Sequence, residues 1–351
     1  MRVALVGCGN IARRYALSVA AYERLELAGA TDLVPERAEE IVAEFGGTAY
    51  PSLEALLADD AVDTIVNLTV PARHAEVTAA ALEAGKHVHT EKPVALRHDE
   101  ASELAHLAVR RGLRLSCAPA TLLGEAQQTA WKLIREGAVG PVCVAYAEAN
   151  WGHIERWHPE PVGLYASGPL FDVGIYPLTI LTGIFGPARR AVGYSAVIEP
   201  ERVTVDGARF RIETPDFLVG MVELQSGAVV RLTATFWVEP SKQRGIEFHG
   251  ERGAIHLVTW DAADARLELK PHGGKYEPVR LAREPHQGVD WARPVDDLAE
   301  AIEEGRPHRM SAEHAAHVVE VLNAIETSGR DGGPVDVRSS FELPAPLEWA
   351  L

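Results

Sequence analysis

Three stretches of this 351-residue chain carry residue types and spacings able to do chemistry. The first is Gly7-Cys8-Gly9-Asn10-Ile11-Ala12, a G-x-G-x-x-A turn. Gly7 permits a tight turn, Gly9 lets the backbone come close to a pyrophosphate, and the small Ala12 lets the next helix pack near its strand. That helix opens around Asn10 and Ile11, and its N-terminus attracts an anion. The second stretch is Glu91-Lys92-Pro93. A lysine ammonium beside a hydroxyl or carbonyl oxygen stabilises developing negative charge, and partial desolvation lowers its own pKa. A solvated surface lysine is the competing reading, and Pro93 adds the option of a cis bond in a tight turn. The third is Gly168-Pro169-Leu170-Phe171-Asp172-Val173-Gly174-Ile175-Tyr176-Pro177. On a helix Asp172 and Tyr176 share one face, and a phenol beside a carboxylate can exchange a proton with a substrate oxygen. Taken alone, the favoured reading is a capping Asp172 and a core Tyr176. Pro177 weakens the helix, because it removes the bond to the Val173 carbonyl.

The elements that must position these residues follow from the apolar pattern. Val3-Ala4-Leu5-Val6 is an unbroken apolar run, as expected of a parallel strand covered on both faces. A strand, a glycine turn and a helix start thus come in the order a dinucleotide site requires. Asp32 ends a second strand, Glu26 to Thr31, at about the spacing where a carboxylate meets the ribose hydroxyls of NAD and repels a 2′-phosphate. The cofactor expected is therefore NAD, with NADP less favoured. Asp32 could instead cap the helix starting near Pro35, and Arg37 could soften the rejection of NADP. Further strands are expected at Thr64–Leu68, Lys86–Thr90 and Leu113–Cys117. Helices are expected at Pro35–Phe45, Ser52–Leu57, from Pro71 to Glu83, and at Arg97–Arg111, with Gly85 closing the third. Ligands of such open sheets bind beyond the carboxyl ends of the strands. Gly7–Ala12, Thr69-Val70-Pro71 with His74 on the following turn, and Glu91-Lys92-Pro93 all lie there. Residues 1–120 thus read as a Rossmann domain, an α/β doubly wound parallel sheet.

A linking helix, Ala126–Arg135, leads to a second domain, 121–351, of different texture. From Pro141 strands follow one another with few helices. Phe217–Leu224 and Val229–Trp237 read as a hairpin through Gln225-Ser226-Gly227-Ala228. In its second strand Arg231, Thr233 and Thr235 alternate with Val230, Leu232, Ala234 and Phe236, so one sheet face is apolar and the other polar. Helices near Trp291–Glu304 and Ser311–Thr327 close an α+β domain with a mostly antiparallel, open-faced sheet.

The totals bound the function classes. Lys and Arg number 34 against 50 Asp and Glu, a net charge of −16, and no basic run interrupts the acidic surface. Nucleic acid and anionic lipid are poor partners for it. Cys8, Cys117 and Cys143 make no C-x-x-C, which fits a reducing, cytoplasmic setting. No uninterrupted apolar run reaches the roughly 18 residues of a membrane span, and the nucleotide turn accounts for Met1–Ala12 better than a signal peptide does. Trp151, His153, Trp157 and His158 precede the Asp172 stretch. Indole faces stack on sugar C–H surfaces and imidazoles bond hydroxyls, so these four are candidates to line a substrate pocket, although tryptophans are more often core. Glu313, His314 and His317 sit close together without an H-E-x-x-H pattern, and no metal is expected.

The N-terminal turn, Ala80–Leu96 (AALEAGKHVHTEKPVAL) and Gly168–Leu178 (GPLFDVGIYPL) resemble, in order, the glucose–fructose oxidoreductase, inositol dehydrogenase and rhizopine catabolism (Gfo/Idh/MocA) family. The resemblance covers nearly the whole chain, and the AGKHV-x-x-EKP stretch is its most specific part. It implies a catalytic Lys92, a Glu91 that contacts the nicotinamide riboside, and proton transfer by Asp172 and Tyr176. It further implies reversible oxidation of a secondary alcohol on a sugar, sugar derivative or cyclic polyol, and a homodimer or homotetramer formed through the C-terminal sheet. Tyrosine stands where the inositol dehydrogenase branch has histidine, which leaves the substrate open. Some relatives are glycosidases that keep NAD bound and oxidise transiently; others bind dinucleotide as non-catalytic regulators. Retention of Lys92 and Tyr176 argues against the regulator.

Overall fold

A computed structural model describes residues 1–158, 161–239 and 241–351. The apolar run after Met1 forms β1 (Arg2–Val6), buried from Val3 onward. The chain then alternates through α1 (Ala12–Val19), β2 (Glu26–Thr31), α2 (Pro35–Phe45), β3 (Thr48–Ala49), α3 (Leu53–Leu57), β4 (Thr64–Asn67), α4 (His74–Glu83), β5 (His87–Thr90), α5 (His98–Arg111) and β6 (Leu115–Cys117). All pairs in this six-stranded sheet are parallel, in the order β3-β2-β1-β4-β5-β6. The order reverses at β1, so the crevice beyond its end is the topological switch point. Local chemistry sets the helix ends. The Ser52 hydroxyl accepts the Ala55 N–H at the start of α3. Asp99 and Glu100 open α5, Arg110 and Arg111 close it, and left-handed Gly112 stops it. The expected helix from Pro71 begins as a 3₁₀ turn, Pro71–Arg73, before α4.

The chain divides into two compact units. One holds Met1–Ala120 and Asp290–Ala316; the other holds Thr121–Val289 and His317–Leu351. One boundary between them falls after Ala120. Asp290–Ala316, expected in the second domain, returns to the first unit and carries α9 (Arg293–Glu304). Ala292, Val295 and Ala299 share a core with Val3, Leu5, Tyr15, Ala16 and Val66.

The second unit contains α6 (Glu125–Arg135), β7 (Val142–Asn150), α7 (Pro161–Pro169), α8 (Ile175–Phe185), β8 (Ala188–Ala196), β9 (Glu201–Val203), β10 (Arg209–Arg211), β11 (Phe217–Leu224), β12 (Val229–Thr235), β13 (Gly245–Gly250), β14 (Gly253–Leu257), β15 (Leu267–Pro271), β16 (Glu277–Val279) and β17 (Val335–Asp336). The last helix, α10 (Ala312–Asp331), begins in the first unit and ends in this one. The nine-stranded sheet runs β16-β15-β14-β13-β7-β12-β11-β8-β17, and β7 with β12 is its parallel pair among antiparallel ones. The expected β11–β12 hairpin is present, with Phe217 opposite Thr235 and left-handed Gly227 in its turn.

Helices α7 and α8 lie where the sequence reading has few helices. Helix α8 is buried on nearly every side and shows no apolar stripe, so periodicity does not reveal it, whereas α7 is short, partly exposed and broken at Gly168. Pro161–Phe185 is long and apolar enough on composition alone to cross a membrane, but 83% of its most apolar window is buried inside the protein. Glycine lets two other elements close on the sheet. A Cβ at Gly193 would stand 2.1 Å from the Ile325 carbonyl oxygen of α10, and one at Gly174 would stand 3.1 Å from the Ala234 Cβ of β12. The opposite face stays open. Across β7, β12, β11 and β8, Tyr146, Arg231, Met221 and Val192 form one cross-strand row. Tyr146, Met221, Val192 and, in the next row, Tyr194 are exposed.

Candidate active site

In the first unit the glycine turn is shaped by its neighbours. Gly7 has φ +92°, and a Cβ there would stand 2.9 Å from the Leu68 carbonyl oxygen. That position therefore requires glycine twice over, for conformation and for space. A Cβ at Gly9 would meet nothing within 4 Å, so the space over Gly9 is open. Ala12 is fully buried, and no side chain caps the first turn of α1. Asn10 is exposed and Ile11 half-buried on that turn. Open space over a glycine and an uncapped helix start is the arrangement a dinucleotide pyrophosphate fits. Asp32 stitches the turn to the end of β2: one carboxylate oxygen accepts the Cys8 N–H at 2.6 Å and the other accepts the Val34 N–H at 2.8 Å. Each oxygen keeps lone pairs for further donors. The residues after Asp32 are Leu33 and Val34, both exposed. Burial, with the Asp32 charge second, pushes the Cys8 thiol up to about 12, so it stays protonated.

The ends of β4 and β5 are tied together by polar side chains. The Asn67 amide donates to the His74 carbonyl and the Thr78 hydroxyl, and its oxygen accepts the Thr69 hydroxyl. The His74 ring spans the Pro93 carbonyl at 2.7 Å and the Thr69 carbonyl at 2.9 Å. Burial lowers its pKa, while the two carbonyls favour its doubly protonated form. The ring thus fixes the half-buried Thr69 and Pro71 segment against Pro93. Glu91 is 5% exposed; it accepts the Tyr15 hydroxyl at 2.7 Å and the Lys92 N–H at 3.1 Å. Lys92 follows as a half-buried residue, and the Lys92–Pro93 bond is cis.

In the second unit Asp172 and Tyr176 do not share a regular helix. Asp172 lies in a π-type turn, Leu170–Gly174, and Tyr176 in the first turn of α8. The Pro177 ring excludes a continuous i to i−4 ladder there. Burial singles both residues out: from Gly168 to Ile184 every residue is buried except these two. The Tyr176 ring lies 4.9 Å from that of Trp260, which lies 5.7 Å from Trp151, which in turn meets Trp157 edge-on at 6.3 Å. Trp157 meets His158 edge-on at 5.6 Å and is 53% exposed. Trp260, missed in the sequence, lies far along the chain and 4% exposed, and no local motif marks it.

His153 faces elsewhere. Its ring is 7% exposed, with Nδ1 at 2.8 Å from Arg202 Nη1 and 3.1 Å from Glu155. Arg202 also pairs with Asp216, lies over the Trp237 and Tyr165 rings, and has no exposed side-chain surface. The Tyr165 hydroxyl donates to Glu155. This buried network was not legible either: its members come from four separate segments. His317 is bonded to the Ser339 hydroxyl and the Ala188 N–H.

Comparison with known proteins matches two successive stretches of the chain. Residues 1–118 match the oxidoreductase family with an NAD-binding Rossmann fold, and residues 127–256 match the GFO/IDH/MocA C-terminal domain. A dTDP-3,4-didehydro-2,6-dideoxy-alpha-D-glucose 3-reductase from Streptomyces violaceoruber is 31% identical, over 100% of this chain and 92% of its own. A UDP-N-acetylglucosamine 3-dehydrogenase from Acidithiobacillus ferrooxidans is 31% identical over 74% of each. Among solved structures, an NAD-binding oxidoreductase from Klebsiella pneumoniae superposes with a TM-score of 0.84 at 21% identity, covering 97% of this chain and 100% of that one.

Proposed function

Because this chain belongs to the GFO/IDH/MocA oxidoreductase family, we propose that it oxidises or reduces one secondary carbinol of a sugar or sugar derivative. Family membership makes it an oxidoreductase with a Rossmann domain for a nicotinamide dinucleotide. Two relatives at 31% identity are named as a 3-reductase and a 3-dehydrogenase of nucleotide-linked sugars, which supports a sugar as substrate. The single observation that carries the reading is the rim at the ends of β1, β4 and β5. There an open glycine cradle, a fixed Thr69–Pro71 segment and Glu91-Lys92 belong to one unit. When bound, the dinucleotide supplies a nicotinamide ring that exchanges hydride with the carbinol carbon.

The residues then divide the remaining work. Gly7, Gly9, Asn10 and Ile11 accommodate the pyrophosphate, Thr69, Pro71 and His74 border the cofactor, and Glu91 bonds the nicotinamide riboside. Lys92 holds the reacting oxygen and stabilises negative charge on it. Tyr176 exchanges the hydroxyl proton, and Asp172 orients that exchange. Trp151, Trp157 and His158 line the substrate side, with Trp260 behind Tyr176. A panel of sugars, nucleotide sugars and polyols assayed for NADH formation tests the reading. At least one sugar should turn over in the wild type and fail to do so in Lys92→Ala; a panel active only on non-carbohydrate alcohols overturns the substrate class.

Asp32 points to NAD over NADP. Its charge repels a 2′-phosphate, and Leu33 and Val34 add no cation, while the Arg37 charge, which is felt at the Cys8 thiol, softens that rejection. Titration should find tighter binding of NADH than NADPH, and Asp32→Ala should narrow the difference; a wild-type preference for NADPH rejects the assignment. The exposed tyrosine-bearing face of the large sheet supports pairing of two copies there, and the cysteine pattern supports a reducing compartment such as the cytoplasm.

A further inference from the structure

Three side chains buried in the first unit, none of them given a role above, join Glu91 in one hydrogen-bonded chain. Ser116 and His89 have no exposed surface, Tyr15 is 1% exposed and Glu91 5%. The Ser116 hydroxyl lies 3.0 Å from His89 Nδ1, His89 Nε2 lies 3.2 Å from the Tyr15 hydroxyl, and that hydroxyl donates to Glu91 at 2.7 Å. We propose that Tyr15, His89 and Ser116 are positioning residues for Glu91, acting as a single directed chain that holds its carboxylate against the dinucleotide. The proposal rests on the reading of Glu91 as a contact of the nicotinamide riboside.

The direction follows from the end that has no choice. A carboxylate only accepts, so Tyr15 spends its proton on Glu91. The Tyr15 oxygen is then an acceptor, and His89 must carry its proton on Nε2. Nδ1 is left as an acceptor, and the Ser116 hydroxyl supplies the donor. One tautomer satisfies every group. Burial keeps it in place by pushing the His89 pKa down to about 3, so the ring stays neutral at working pH. The frame behind the chain is rigid. Ser116 lies on β6 and also bridges to Ser311, while the Tyr15 ring packs 5.5 Å from that of Trp291. Satisfied buried networks of this kind fix geometry, whereas removal of one member leaves another unpaired. The Glu91 carboxylate is thus held at one oxygen from the α1 side and at the other by the Lys92 N–H.

The test uses NADH binding, which needs no knowledge of the substrate. Glu91→Gln, Tyr15→Phe, His89→Leu and His89→Gln are titrated with NADH at neutral pH, and the melting temperature of each is recorded. Tyr15→Phe should weaken NADH binding about tenfold, the loss of one hydrogen bond to a charged group. His89→Leu should show the same change to a smaller degree. His89→Gln should restore affinity to within about twofold, since a carboxamide donates toward Tyr15 and accepts from Ser116. A purely structural role lowers melting temperature and leaves affinity alone. That result for Tyr15→Phe, alongside a clear effect of Glu91→Gln, overturns the positioning chain and spares the role of Glu91. If Tyr15→Phe does not fold, the His89 pair decides by the same criterion. Wild-type affinity in Glu91→Gln overturns both.

Discussion

Lys92 is half-buried and lies two residues beyond the end of β5. Lys92→Ala should lower turnover to below a tenth of wild type, at least ~1.4 kcal/mol of transition-state stabilisation, with NADH affinity changed only a few-fold. Steady-state kinetics with a parallel NADH titration separate the two effects, and retention of most of the rate removes Lys92 from the chemistry. Tyr176→Phe deletes one hydroxyl and keeps the ring that packs on Trp260. It should cost about 10²–10⁴-fold in rate if the phenol moves the proton, with little change in melting temperature. Tyr176→His should retain part of the activity with an acid-shifted profile, because an unperturbed imidazole titrates near ~6.5 and a phenol near ~10. Equal rates and profiles for wild type and Tyr176→Phe would make Tyr176 a packing residue. At this scale the sequence was readable where one motif held all the atoms, as in Gly7–Ala12 and Glu91–Pro93. His153 shows where it was not. Its type and place beside three aromatic or imidazole candidates suggested the substrate side, yet its ring is turned to Arg202 and Glu155, whose proximity depends on a distant strand.

Elements carry the acid sensitivity of the fold. His74 in α4, His87 and His89 in β5, and His308 after α9 are all depressed in pKa, with burial as the leading cause. An unfolded histidine titrates near 6.5, so below that pH the unfolded chain binds protons that the folded rings refuse. Stability is therefore complete above about 6.5 and declines as pH falls, by up to ~1.4 kcal/mol per pH unit for each ring, until that ring's folded pKa is reached. For His89 the window extends down to about 3. Melting temperatures of wild type and His89→Gln between pH 8 and pH 4 should diverge only below about 6.5, with the variant declining less steeply; parallel curves would contradict a neutral buried His89. The elements also show what a one-dimensional pattern conveys. β1 is an unbroken apolar run from Val3 to Val6, and each strand expected in the first sheet is present. Helix α8 is buried on every side, and Asp172 sits in a π-type turn, so neither a stripe nor a four-residue spacing described them correctly.

For the whole molecule, the open face of the nine-stranded sheet makes a separable claim about assembly. Arg231 lies 4.1 Å over the Tyr146 ring and pairs with Glu148, so its charge is already matched within the sheet, while Tyr194 projects at 61% exposure. Tyr194→Asp should leave the monomer folded and shift a dimer toward monomer, as read by sedimentation; an unchanged species, or a wild type that is monomeric at micromolar concentration, rejects pairing through this face. The two-part layout was visible in the change of texture near residue 120, but the return of Asp290–Ala316 was not, because the apolar face of α9 carries no mark of which core it joins. That return has a consequence during synthesis. Ala292, Val295 and Ala299 complete the core around β1, yet about 170 residues must be translated between Ala120 and Asp290. At ~5–20 residues per second the ribosome needs roughly 10–30 s for them, and for that interval the nascent cofactor unit displays a bare apolar groove where α9 will pack.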